Sequence, residues 1–98
     1  MRIEWARQAD EMLDEALDRI GEERPLVALR WLDALMNQVR TLEQFPDSGR
    51  MVPEYQRPEI REILADPYRV PYHRGEDAVT ILAVTHSRRA FDLGAQLD

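Results

Sequence analysis

The sequence predicts an α+β domain in which a helical hairpin packs on one face of a mainly antiparallel sheet, in the order strand, helix, helix, strand, strand, strand. Three observations carry this. Apolar residues recur at three- and four-residue steps through residues 7–43, prolines and a glycine break that pattern over residues 46–58, and short alternating or continuous apolar runs fill residues 59–84.

Residues 2–5 read as a short opening strand, with Ile3 and Trp5 alternating against Arg2 and Glu4. Over residues 7–20, Ala9, Met12, Leu13, Ala16, Leu17 and Ile20 form one helical face, and Asp10, Glu11, Asp14, Glu15 and Asp18 form the other. Gly21 suits a left-handed helix end and Pro25 the first turn of a second helix, so a tight reversal is expected between them. The second helix, residues 25–43, carries Ala28, Trp31, Leu32, Leu35, Val39 and Leu42 on its inner face. Helices joined this closely form an antiparallel hairpin.

Pro46, Gly49, Pro53 and Pro58 make residues 46–58 a loop draped over the core. Gly49 is expected in a turn conformation closed to other residues, and Arg50 is expected to tie the loop to an acid. Strands follow over residues 59–64, 68–73 and 79–84, with turns at Asp66-Pro67 and Gly75-Glu76-Asp77. The last strand is apolar on both faces, as a central buried strand requires. Pro71 lacks the N–H of a ladder donor and predicts a bulge or an unpaired side. The residues after His86 suffice for one helical turn or a tail.

The 98 residues fit one domain, 1–98, with a modest core, since a chain of this size buries roughly two thirds of its unfolded surface. The absence of cysteine excludes disulfides, thiolate nucleophiles and cysteine-ligated metals. No apolar run approaches the roughly 20 residues of a membrane span, and residues 1–5 lack the apolar stretch of a signal peptide, so a cytoplasmic protein is expected. The net charge is -6, with six arginines against eleven acids in residues 1–49 and seven against eight in residues 50–98. An acidic surface opposes non-specific nucleic-acid binding, so any such contact must be local. All thirteen basic residues are arginine, and a guanidinium does not serve as a general base by its own titration. The acids of the first helix are a solvated face, and no metal or cofactor is expected.

Four short motifs stand in order behind the two helices: Phe45-Pro46-Asp47-Ser48-Gly49-Arg50, Ile60-Arg61-Glu62-Ile63, Tyr68-Arg69-Val70-Pro71-Tyr72, and the run over residues 79–84 ending in Thr85-His86-Ser87-Arg88-Arg89. Their order and spacing resemble the RelE/ParE family of small bacterial toxins, over residues 5–89. The resemblance implies the RelE/ParE-like fold and the toxin part of a type II toxin-antitoxin system, a class linked to plasmid stabilization and growth arrest. It also implies a cognate antitoxin that neutralises the toxin in a hetero-oligomer.

Family members that cleave messenger RNA activate a ribose hydroxyl, neutralise phosphate and protonate the leaving oxygen. By position, the resemblance offers Arg61, Arg69, His86 and Arg88 for these roles, with Arg89 an alternative to Arg88. The set is incomplete: there is no lysine, and no tyrosine follows Tyr72, unless Phe91 stacks on a base. His86 is open to a structural, a catalytic or a partner-contacting role. Arg69 alternates with Tyr68 and Val70, and is expected on the exposed sheet face with His73. There it meets a phosphate, an antitoxin carboxylate or Glu62. Arg69, His73, Arg88 and Arg89 are the expected partner-binding residues. The missing groups favour a ParE-like toxin that inhibits DNA gyrase by protein contact. The alternatives are a RelE-like ribosome-dependent messenger endoribonuclease and a non-toxic antitoxin-binding co-regulator. The antitoxin is expected to fold along the groove beside the hairpin and onto the face around Arg69.

Overall fold

The structure is a computed structural model and describes residues 1–89 and 92–97. Its elements are β1 (Arg2–Trp5), α1 (Arg7–Gly21), α2 (Pro25–Thr41), β2 (Arg50–Met51), β3 (Ile60–Ala65), β4 (Tyr68–Arg74), β5 (Ala78–Ile81), β6 (Thr85–His86) and the single turn α3 (Gly94–Leu97). The α+β architecture expected from the sequence is present. The strands lie in the order β1-β5-β4-β3-β2, with β6 also paired to β4. All pairs are antiparallel except β1 with β5.

The hairpin forms where the periodicity places it. Ala6 leads from β1 into α1, and its N–H bonds to the Ile81 carbonyl at 2.9 Å, so the sheet fixes the helix start. Ala9, Leu13 and Ala16 of α1 and Ala28, Leu35 and Val39 of α2 are buried. Gly21 is not the left-handed residue expected: it ends α1 in helical geometry, and the Glu22 N–H still bonds back to Asp18. The reversal occupies residues 22–24, and Pro25 takes the first position of α2 as expected. Helix α2 stops at Thr41, two residues short of expectation. There the Leu42, Glu43 and Gln44 N–H groups bond three residues back, tightening the chain into turns.

Pro71 produces the bulge. In β4, Tyr72 pairs with Ile81 and His73 with Thr80, whereas Arg69 pairs with Thr85 and Tyr68 with His86. Two residues of β4, Val70 and Pro71, therefore face three, Leu82, Ala83 and Val84. The extra residue falls where proline has no N–H to offer; only the Pro71 carbonyl is used, accepting from Leu82 at 2.9 Å. The slip also turns the run's apolar residues to both sides, Ile81 and Val84 toward the helices and Leu82 and Ala83 toward the opposite face.

That opposite face departs from expectation. It is covered: Val52, Ile60, Leu82, Ala83 and Leu93 form a second core, with Tyr55 and Leu97 packed against it. The loop after β2 and Leu93, just before α3, supply the cover, and the Leu93 N–H donates to the Tyr55 hydroxyl. The sheet is thus sandwiched between the hairpin and a thinner layer of loop and tail.

Candidate functional site

The sheet sorts the expected site residues by face, because partners directly opposite in an antiparallel pair point to the same side. Arg61 opposes Tyr72 and faces the helices; Glu62 opposes Pro71, Leu64 opposes Arg69, and these face the loop and tail. His86 opposes Tyr68, again on the helix side.

On the loop side, Glu62 is the centre. Its side chain has 0% exposure, and it accepts from Arg50 Nε at 2.6 Å, from Arg69 Nε at 2.8 Å and from Arg69 Nη2 at 3.2 Å. Arg69 also grips Glu54 with two parallel bonds, Nη1 at 2.7 Å and Nη2 at 2.8 Å. With 13% exposure, Arg69 is less open than the exposed sheet face expected of it, and of the partners expected there it meets Glu62. The covering loop carries Glu54 over it. The two carboxylates raise the pKa of Arg69 above its ordinary value, while the Arg69 hydrogen bonds hold Glu54 down to about 2. Two guanidinium and two carboxylate groups sum to zero, so the cluster offers no net charge to a phosphate.

On the helix side, Tyr72 locks the loop before β2. Its hydroxyl donates to the Pro46 carbonyl at 2.7 Å and accepts from the Gly49 N–H at 3.0 Å; burial raises its pKa. Gly49 has no positive φ, so the turn conformation expected of it is not the reason for glycine. Space is the reason: a Cβ there would stand 2.7 Å from both the Glu62 carbonyl oxygen and the Tyr72 hydroxyl. Arg61 Nη1 donates to the Gly49 carbonyl at 2.9 Å, and Asp47 Oδ1 lies 3.7 Å from Arg61 Nε and 3.3 Å from Arg74 Nε. Phe45, at the start of this loop, is 60% exposed.

His86 sits at the other end. Its ring meets Tyr68 edge-on at 5.3 Å, and Tyr68 meets Trp31 at 5.4 Å, whose Nε1–H donates to the Ala65 carbonyl. The Nδ1 of His86 accepts from the Arg88 N–H at 3.1 Å, which puts the proton of the neutral ring on Nε2. Arg88 and Arg89 are exposed, and Arg89 borders a small cleft with His86, Glu15 and Arg19. His73 is half-buried beside Thr80, Leu82, Arg57 and Leu97. Phe91 lies outside the described residues.

The four nuclease candidates do not converge. Arg61 and Arg69 lie on opposite faces of the sheet. Arg61 and His86 share a face, but their β4 partners, Tyr72 and Tyr68, stand four residues apart, about 13 Å along the strand. Sequence reasoning found Glu62 as a partner for Arg69 but missed Glu54, Asp47 and the Tyr72 lock. The Pro46 and Gly49 punctuation marked the loop without revealing what held it. Among the described residues no cluster of histidine and acidic side chains could hold a metal ion, and no helix is long and apolar enough to cross a membrane.

The chain matches the family model described as ParE toxin of type II toxin-antitoxin system, parDE, over residues 3–91. Among solved structures it is similar to a chain of the chromosomal ParDE TA system from P. aeruginosa. The two are 25% identical, with a TM-score of 0.71 over 88% of this chain and 95% of that one. No curated protein matches the sequence.

Proposed function

Because the chain belongs to the ParE toxin family of type II toxin-antitoxin systems, we propose that it arrests growth in the cytoplasm by binding DNA gyrase, and that a cognate antitoxin neutralises it. The choice of protein contact over RNA cleavage rests on one observation above all: Arg69, the strand arginine that a nuclease would turn to phosphate, makes four hydrogen bonds to two carboxylates. Cleavage of RNA requires a base, an acid and a phosphate clamp held together around one reacting atom. Arg61, Arg69 and His86 are instead distributed over two faces and two ends of the sheet. A toxin that works by binding needs no such convergence.

Expression of the chain alone in bacteria tests this. The expected outcome is growth arrest with DNA breaks trapped on gyrase and intact messages, relieved by co-expression of the antitoxin from the adjoining reading frame. Message cleavage with undamaged DNA would reverse the reading, and an absence of any growth phenotype would point to the co-regulator.

A further inference from the structure

We propose that Arg61 and Arg74 form a carboxylate-binding site for an acidic, apolar segment of the antitoxin, and that Asp47 occupies this site in the free toxin. The inference rests on the antitoxin partnership proposed above. Asp47 Oδ1 lies between the two guanidinium groups at 3.7 and 3.3 Å. The longer of these is too great for a hydrogen bond, and Arg61 Nε is buried with no hydrogen-bond partner. A donor left in this state marks a place where the resident anion fits poorly and a better-placed one would bind.

The surroundings suit such a replacement. Asp47 is 59% exposed, so its side chain can swing into solvent without disturbing the core. The loop that carries it is anchored on both sides, at Pro46 and Gly49, by the Tyr72 hydroxyl, so the site keeps its shape when Asp47 leaves. Asp47 and Arg74 also line an open cleft with Phe45, Pro46 and Ser48, where Phe45 is 60% exposed. A segment pairing an acidic residue with an apolar one would set its carboxylate between the arginines and its apolar side chain against Phe45. The resident group is itself a carboxylate, which is the chemistry these guanidinium groups already accept.

The test measures the Kd of the full-length chain for the full-length antitoxin by calorimetry, with melting temperatures confirming that each variant folds. Arg74→Ala and Phe45→Ala are expected to weaken binding, the former by about tenfold. Asp47→Asn, which removes the competing carboxylate, is expected to tighten it severalfold. The opposite signs of Arg74→Ala and Asp47→Asn are the signature, because a site that merely latched the loop would respond in the same direction to loss of either partner. Responses of equal sign, or none, would overturn the proposal. Failure of the unsubstituted chain to bind antitoxin would overturn it together with the partnership beneath it. A single-stranded RNA oligomer that bound with the same pattern of signs would overturn the choice of a protein carboxylate.

Discussion

Removing a carboxylate from water is costly unless positive charge and hydrogen bonds meet it on the spot. Glu62 is the residue on which this rule acts most strongly here, with two guanidinium groups bonded to a side chain that has no exposed surface. Truncation would leave Arg50 and Arg69 facing one another across the vacated space. Glu62→Ala is therefore expected to destabilise the fold by about 3 kcal/mol, read from the midpoint of urea unfolding. A variant as stable as the parent would show that the cluster is dispensable. A separation of only seven residues, on neighbouring strands, made Glu62 visible as a candidate partner for Arg69. Glu54 was not visible, because its position depends on Val52 and Tyr55 seating the loop on the second core, fifteen residues before Arg69. Asp47 was hidden for the same reason: its partners Arg61 and Arg74 come from two later strands.

At the scale of elements, the loop over residues 46–58 is held from both sides of the sheet. Tyr72 fastens its beginning on the helix side, and the Arg69 to Glu54 pair fastens its middle on the other. The second fastening is acid-sensitive. The Glu54 carboxyl is held at about 2, below its ordinary 4.5, chiefly by hydrogen bonds from Arg69. A depressed folded pKa contributes stability that is complete above pH 4.5 and is lost as pH falls from there toward 2. Glu54 is 40% exposed, so solvent screening reduces the size of the contribution without changing its sign. Glu54→Gln is expected to melt below the parent at neutral pH, with the two curves converging as pH approaches 2. Parallel curves throughout would show that the Arg69 to Glu54 pair does not hold the loop. The bulge was legible because proline lacks a donor wherever it falls. Strand β2 was not, since two residues between turns carry no periodicity, and Arg50 and Met51 become a strand only by pairing with Glu62 and Arg61.

For the whole molecule, the order of the longer elements could be read because the two helices and the runs over residues 59–84 carry their own apolar patterns. The second cover over the sheet could not. It is built from isolated apolar residues in a loop and a tail, and their shared surface exists only after folding. That cover decides the fate of Arg69: left open in the sequence between a partner and Glu62, it is enclosed and paired with both Glu62 and Glu54. The proposed mode of action is contact with gyrase rather than chemistry on RNA. Incubating the purified chain with gyrase and relaxed plasmid, and separately with translating ribosomes and a message, tests it most directly. The expected result is loss of supercoiling with dose-dependent accumulation of cleaved plasmid on gyrase, restored by antitoxin, while the message stays whole. Ribosome-dependent cleavage of the message, abolished by Arg61→Ala and by His86→Ala with gyrase unaffected, would contradict it.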